Sequence, residues 1–315
     1  MAGTAIKEMR PVVFRNKEGL ALHGILHMPS GTPRQQGIII LSPGIKSRVA
    51  PHRLYVKMSR RFVELGYAVL RFDPAGMGDS EGEIDERFAA DVYGSIQVGR
   101  FVGDTVAAMD WMQRELGIKS FILSGLCGGA ITGLLAGAGD NRVDSLLGLG
   151  IPVILDGASV DRTRHMSKGQ LEEMRRGYLR KALDPKAWTR LLSFKSDYRL
   201  LMKSLALTLS GKKKKPMPAG VTGKAAVPGN FNTLFPDAFS RMAEKGKVCL
   251  VFSEADRLYW EFEEKFAATH RDSIARAGKN LEIHITKNAN HVFTFRDWQE
   301  SALETMCSWL ERQDA

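Results

Sequence analysis

At 315 residues, with 44% hydrophobic and 25% charged residues, the chain has the length and composition of a globular protein of one or two domains. Its net charge of +10 comes with no nucleic-acid-reading motif, and Cys127, Cys249 and Cys307 are too few and too scattered for a disulfide framework or a zinc site. Residues 1–16 lack a signal-peptide core and no apolar stretch reaches transmembrane length, so a cytoplasmic protein without integral membrane association is expected.

In chain order, the predicted elements alternate short apolar strands with helices. The first two strands form an antiparallel hairpin, because turn-forming residues lie between them. Strands are predicted at Pro11–Arg15, Leu20–His27, Gly37–Leu41, Tyr67–Phe72, Ser120–Ser124, Leu146–Ile151, Val248–Ser253 and Leu281–Thr286. Helices are predicted at Tyr55–Leu65, Val102–Leu116, Ile131–Ala138 and Asp297–Glu311. Such alternation is typical of an α/β fold with a mostly parallel, eight-stranded sheet flanked by helices.

Residues 158–230 break this alternation after the sixth strand. The pattern predicts helix from Lys168 to Leu209, and a looser stretch with Pro and Gly follows over Lys212–Asn230. We predict a helical cap at 158–230, inserted into a core of residues 1–157 and 231–315. Because open α/β sheets bind ligands at the carboxyl ends of their strands, this cap would help to build the substrate pocket.

Apolar and aromatic residues of the predicted cap could line an acyl pocket, although a helical cap also needs such residues for its own core. They are Met166, Met174, Leu179, Trp188, Leu192, Tyr198 and Met202. The same segment carries an excess of basic residues, including the run Lys212–Lys215. Such a basic face could attract an anionic substrate, an acidic carrier protein, nucleic acid or a membrane surface, or it could simply be solvated. We expect no nucleic-acid partner.

The segment Ser124–Ala130 lies between an apolar strand and a helical stretch, with Cys127 at its centre. A residue held in a strained strand-to-helix turn needs small residues two positions away on either side, and Gly125 and Gly129 meet that need. The turn would place the sulfur at a helix N-terminus, where the partial positive charge favours a thiolate. Cys127 is the predicted nucleophile, with the backbone N–H of Gly128 as one oxyanion donor. The alternative is a glycine-rich turn that holds a structural cysteine.

Two further strand ends carry the groups that such a nucleophile requires. His291 follows the eighth strand and precedes the last helix, a placement that no other histidine in the sequence shares. Asp256 follows the seventh strand, where a carboxylate could orient the imidazole and stabilise its protonated form. The chain order of nucleophile, acid and base predicts a triad of Cys127, His291 and Asp256. Glu254 and Asp156 remain alternative acids, because each also follows a predicted strand.

The loop after the third strand, Ser42–Ser47, is expected to supply the second oxyanion donor. Gly44 permits an unusual backbone there, and the N–H of Ile45 is the candidate. The turn Asp73–Ser80 is glycine-rich but lacks the spacing of a dinucleotide-binding loop, so we predict a structural turn in which Asp73 accepts from backbone amides. Nothing in the sequence indicates a metal or an organic cofactor.

The chain resembles the α/β hydrolases, in particular their serine-aminopeptidase-like and lysophospholipase-like branch. The resemblance is carried by the strand-to-helix turn at Cys127, called the nucleophile elbow, by Asp256 and His291 further along the chain, and by the turn Asp73-x-x-Gly76-x-Gly78-x-Ser80. More narrowly, the chain is similar to the exosortase-system-associated hydrolases. That similarity is carried by Gly125-Leu126-Cys127 and by the cap stretches Tyr178–Arg180 and Trp188–Ser193. Cysteine in place of serine at the elbow also occurs in dienelactone hydrolases, polyester synthases and some carrier-bound thioesterases. It argues against simple lipase or peptidase activity.

Attack by Cys127 on an ester or thioester would give a thioester acyl-enzyme. The expected reaction is therefore hydrolysis of an ester or an acyl thioester, including acyl groups carried by CoA or a carrier protein. Because thioesters react readily with amines, the alternative is an acyltransferase or cyclising enzyme that passes the acyl group to an amine or hydroxyl. A second alternative is a binding protein that keeps the hydrolase fold without catalysis.

Overall fold

The computed structural model describes residues 6–157 and 230–314 of the chain. All of the predicted cap except Asn230 lies outside these ranges. The predicted pocket residues Met166, Met174, Leu179, Trp188, Leu192, Tyr198 and Met202 and the run Lys212–Lys215 lie outside them as well. The predictions made for the cap therefore stay predictions.

Eight strands in the described part of the chain form one sheet. They are β1 (Ile6–Arg15), β2 (Ala21–Pro29), β3 (Gln36–Leu41), β4 (Ala68–Phe72), β5 (Ser120–Leu126), β6 (Val143–Leu149), β7 (Lys247–Ser253) and β8 (Leu281–Thr286). Their order across the sheet is β1-β2-β4-β3-β5-β6-β7-β8. β2 pairs antiparallel with both β1 and β4, and every other pair is parallel. The predicted fold class and the predicted opening hairpin are confirmed.

The central strands carry apolar runs whose side chains are buried on both faces of the sheet. Ile38 and Ile40 of β3 point into one hydrophobic core together with Ile122 of β5. Ile39 lies between them and points into the opposite core, which it shares with Leu123. This alternation of side chains within a continuous apolar run is typical of a parallel sheet buried on both sides.

Helices lie on both faces of this sheet. The described ones are α1 (Leu54–Glu64), α2 (Ala89–Gln97), α3 (Val102–Leu116), α4 (Gly128–Gly139), α5 (Phe235–Lys245), α6 (Arg257–Glu261), α7 (Arg271–Ala277) and α8 (Arg296–Glu311). Short helical turns occupy Pro51–Arg53, Phe262–Ala267, Gly278–Asn280 and Arg312–Asp314. α1 and α8 contribute to the core that contains Ile38, whereas α3, α4 and α5 contribute to the core that contains Ile39. No helix within these ranges is both long enough and apolar enough to cross a bilayer.

The observed boundaries differ from the predicted ones at β1, which begins at Ile6 rather than Pro11, and at the glycine-rich junction of β5 and α4. β5 continues to Leu126 and α4 begins at Gly128, so a single residue separates the strand from the helix. α2 and α5–α7 were not expected from the sequence. α5 packs against the helical turn Phe262–Ala267 through a cluster of phenylalanines, in which the rings of Phe235 and Phe266 lie 4.7 Å apart.

Candidate active site

Cys127 is the single residue between β5 and α4, and its backbone is strained. Its φ of 53° and ψ of −112° fall outside the regions that side-chain-bearing residues normally occupy. A Cβ added to Gly125 would lie 2.7 Å from the backbone of Gly129, and one added to Gly129 would overlap the carbonyl oxygen of Leu41. The glycines predicted to flank the cysteine are therefore required by contact with neighbouring backbone, and they allow the tight turn at Cys127.

The turn leaves the side chain of Cys127 partly accessible while its backbone is held firmly. Its N–H donates to the carbonyl of Leu149 at 2.8 Å, and its own carbonyl accepts from Ala130 at 3.0 Å. Cys249 and Cys307 are buried, and burial raises the pKa of both thiols. Among the three cysteines of the chain, Cys127 is thus the one that a substrate could reach.

His291 contacts both of its predicted partners. Its Nδ1 lies 2.6 Å from Oδ2 of Asp256, a carboxylate that is 5% exposed. The other oxygen of Asp256 accepts from the backbone N–H of Leu258 at 3.3 Å, at the start of α6. With Nδ1 engaged by the carboxylate, Nε2 is left for the side chain of Cys127, which lines the same pocket and acts to raise the pKa of the imidazole. The three residues predicted as a triad therefore lie together in one pocket, with His291 bonded to Asp256.

These contacts set the protonation of His291. Burial lowers its pKa, but the hydrogen bonds to Asp256 and Cys127 and the negative charges of both groups outweigh burial and raise the pKa to about 10. Below that pH the imidazole is held as a cation between a carboxylate and a sulfur. An imidazolium beside a thiolate is the arrangement that activates cysteine nucleophiles.

Of the three acids considered from the sequence, Asp256 is the one that binds His291. Glu254 accepts from the backbone N–H of Asn288 at 2.8 Å in an exposed turn. Asp156 lies 3.4 Å from the guanidinium of Arg257, and its own backbone N–H donates to the side chain of Gln97 at 2.6 Å. Both alternative acids therefore have other partners.

Gly150, directly after β6, lies beside the imidazole of His291 and the carboxylate of Asp256. It has a φ of +51°, and its N–H donates to the carbonyl of Val251 at 2.9 Å. A Cβ at this position would lie 3.4 Å from Oδ2 of Asp256 and 3.6 Å from Nδ1 of His291. The bare backbone of Gly150 thus packs directly against the His–Asp pair.

The loop after β3 lies against the start of α4, where the predicted oxyanion donors were placed. A Cβ on Gly128 would lie 3.1 Å from Cα and N of Gly44, so the two backbones touch. The buried hydroxyl of Ser42 donates to the carbonyls of Gly44 and Lys46 and holds the loop in this shape. The N–H of Gly128, the first residue of α4, has no intrahelical acceptor. Ile45 follows Gly44 in this loop, and its backbone acts to lower the pKa of Tyr93.

The turn after β4 has the structural character predicted for it. Asp73 is fully buried and accepts from the backbone amides of Arg48 and Asp79, at 2.5 Å and 3.4 Å. The guanidinium of Arg48 also pairs with Asp73 and reaches Asp79 at 2.6 Å. This ion pair fixes the chain just beyond the β3 loop. The sequence offered no signal for it, because Arg48 and Asp73 lie far apart along the chain.

Tyr55 and Tyr93 are site residues that the sequence did not indicate. The hydroxyl of Tyr55, from α1, accepts from the backbone N–H of Leu126 at 2.7 Å and so supports the residue before the nucleophile. Tyr93, from α2, lines the same pocket as Cys127. Neither belongs to a motif, since each depends on a helix packing against a distant strand.

A pocket opens over these groups at the carboxyl ends of the parallel strands. The described residues that line it are Pro43, Lys46, Pro51, Ala89, Ala90, Tyr93, Leu126, Cys127, Asp156, Asp256, Arg257, Leu258, His291 and Val292. All three predicted triad residues are among them. Within the described ranges, no three His, Cys, Asp or Glu side chains are grouped as metal ligands would be.

A sheet covered on both faces, with a strained residue after its central strand and a His–Asp pair after its last two strands, defines an α/β protein built in the manner of hydrolases. The chain belongs to the α/β hydrolase fold family, whose family model matches residues 38–258. No curated protein matches the sequence.

Solved structures share this fold at low sequence identity. An esterase from Pyrococcus furiosus has a TM-score of 0.59 and 17% identity, over 97% of this chain and 92% of that one. A dienelactone hydrolase from Anabaena variabilis has a TM-score of 0.57 and 15% identity, over 97% of both chains. An α/β serine hydrolase homologue from Coxiella burnetii has a TM-score of 0.51 and 14% identity, over 99% of both chains. At these identities the similarity establishes a shared fold.

Proposed function

We propose that this protein is an acyl-transfer enzyme that hydrolyses an ester or an acyl thioester through a thioester on Cys127. The observation that carries the proposal is that the strained, accessible cysteine lies in one pocket with His291, whose ring is hydrogen-bonded to the buried carboxylate of Asp256. A structural cysteine needs neither the strained turn nor the imidazole. Both are needed by a nucleophile that must meet a substrate at the end of the sheet.

The reaction runs in two halves. The Cys127 thiolate attacks the carbonyl carbon, and the negative charge that develops on the carbonyl oxygen is stabilised by the N–H of Gly128 and by the loop that contains Ile45. As the intermediate collapses, the imidazolium of His291 gives its proton to the departing alcohol or thiol, which leaves Cys127 acylated. A water molecule then loses a proton to neutral His291 and attacks the thioester. The acid is released and the thiolate–imidazolium pair is restored.

The pKa of His291 suits both the acylation half and the hydrolysis half of the reaction. Burial opposes the positive charge, while hydrogen bonds and charges from Asp256 and Cys127 raise the pKa to about 10, so the proton is available in the free enzyme. Acylation removes the negative charge of the sulfur and its hydrogen bond. The pKa of His291 then falls, and the ring can accept a proton from water.

Three observations support an ester or thioester as the substrate. The chain has the α/β hydrolase fold, its solved neighbours include an esterase and a dienelactone hydrolase, and a cysteine occupies the nucleophile position. The cysteine also favours the second candidate, transfer to an amine or hydroxyl, because a thioester reacts more readily with amines, relative to water, than an oxygen ester does. We include in this proposal the narrower similarity to the exosortase-system-associated hydrolases. That similarity does not identify a substrate. CoA and carrier proteins are the proposed acyl carriers.

Intact-mass analysis after exposure to panels of acyl esters and acyl thioesters tests the proposal. We expect the wild-type protein to gain the mass of an acyl group, and Cys127→Ala to gain none. Cys307→Ala is the matched control, because it removes a buried thiol outside the pocket and should acylate like the wild type. Adding an amine then separates the two candidates, since only an acyltransferase would release amide. A wild-type protein that acquires no acyl group from either panel would instead be a non-catalytic binding protein.

A further inference from the structure

Tyr93 occupies a position between the oxyanion loop and the nucleophile. It lies on α2, is half-buried, and lines the pocket together with Cys127. Its ring packs on Gly44 so closely that a Cβ there would collide with Cε1 of the tyrosine. Gly44 in turn touches Gly128, the residue after the nucleophile. The tyrosine ring, the loop and the start of α4 therefore converge at one side of the sulfur.

The phenol of Tyr93 lies beside the loop that carries Ile45, the residue whose N–H the sequence suggested as an oxyanion donor. The backbone of Ile45 acts to lower the pKa of Tyr93. A phenol has its own proton to donate. Burial and the negative charge of Cys127 raise the pKa of Tyr93 and outweigh the effect of the Ile45 backbone, so the phenol stays protonated at neutral pH.

We propose that the Tyr93 hydroxyl is a catalytic residue that donates a hydrogen bond to the carbonyl oxygen of the acyl group while Cys127 attacks, opposite the N–H of Gly128. This inference rests on the proposed function. No bond to Tyr93 is broken in the step, and its proton stays on the phenol throughout.

The variant Tyr93→Phe tests this role, since it keeps the ring on Gly44 and removes the hydroxyl. Two single-turnover rates are measured on Cys127: acylation by an activated ester or thioester, and alkylation by iodoacetamide. Alkylation needs the thiolate but generates no oxyanion. We expect acylation to slow by about a hundredfold or more, with alkylation unchanged. Tyr259→Phe is the control, because its ring packs against Phe252 and Trp260, away from Gly44, and should leave both rates unchanged.

The possible outcomes are distinct. Equal acylation rates in wild type and Tyr93→Phe would overturn the role of Tyr93 and leave the proposed function intact. Parallel loss of acylation and alkylation would also overturn it, because the hydroxyl would then act by positioning the thiolate. A wild-type protein that is alkylated but never acylated would refute the proposed function, and the inference would fall with it.

Discussion

At the scale of single residues, the charge state of His291 depends on whether the sulfur of Cys127 is free. Its pKa is the balance of burial, which lowers it, against Asp256 and Cys127, which raise it to about 10. Part of the rise comes from the sulfur and disappears once an acyl group covers it. In the proposed mechanism, the same ring would therefore act as an acid before acylation and as a base afterwards.

This dependence predicts that Cys127→Ala lowers the pKa of His291, because the hydrogen bond and the charge of the sulfur are lost while burial remains. NMR titration of the His291 ring in both proteins measures the difference, with Cys307→Ala as a control for loss of a buried thiol. In the wild type, acylation should slow as the pH rises through about 10, because the imidazolium that protonates the leaving group is lost. An identical ring pKa in wild type and Cys127→Ala would contradict this coupling.

At the scale of secondary-structure elements, α1 supports the end of β5. The hydroxyl of Tyr55 is the acceptor for the buried N–H of Leu126, the last residue of the strand. β5 also pairs with β3 and β6 on either side. The turn at Cys127 thus begins from a strand end that is held by two strands and a helix.

We expect Tyr55→Phe to reduce the free energy of unfolding by about 1–3 kcal/mol, because the N–H of Leu126 is left buried without an acceptor. Denaturant-induced unfolding of the wild type, Tyr55→Phe and Tyr259→Phe measures the effect. Tyr259→Phe controls for loss of a tyrosine hydroxyl away from the elbow. Equal stability of Tyr55→Phe and the wild type would mean that another group accepts from Leu126.

The elements also show which parts of the structure were accessible to sequence reasoning. The bounds of α3 and β8 agree with those predicted, because each has a clear periodic or alternating pattern and a glycine or polar stop. The elbow was predictable because an apolar strand runs directly into a cysteine flanked by glycines. α2 was missed, since its short mixed pattern is stabilised by contacts with distant segments. Tyr93, which lies on α2, was missed for the same reason.

At the scale of the whole molecule, a buried histidine links stability to pH. His27 of β2 is fully buried, and its Nε2 accepts from Arg71 at 3.0 Å. Burial, together with the positive charges of Arg71 and Arg60, lowers its pKa from 6.5 to about 4. The folded protein therefore keeps His27 neutral at pH values at which the unfolded chain protonates it. Within this range the unfolded state binds more protons, so stability falls as the pH falls.

Between pH 7 and pH 5, this difference should cost the wild type about 2 kcal/mol of unfolding free energy. His27→Gln keeps an acceptor for Arg71 but cannot titrate, so its stability should change less over the same interval. Denaturant-induced unfolding at both pH values measures the two changes. His284→Gln is the matched control, because it replaces a partly exposed histidine at the other edge of the sheet. If wild type and His27→Gln responded equally to pH, His27 would not be the group responsible.

The order of strands divides the molecule into two unequal halves. On one side of β3, three strands lead to side chains that line the pocket: β5 to Cys127, β7 to Asp256 and β8 to His291. On the other side, β1 and β2 contribute no residue that lines the pocket, and the segment after β4 reaches the pocket through α2, which carries Tyr93. A fusion partner, label or tether attached to the β1–β2 hairpin would therefore lie at the β1 edge of the sheet, away from the residues that line the pocket.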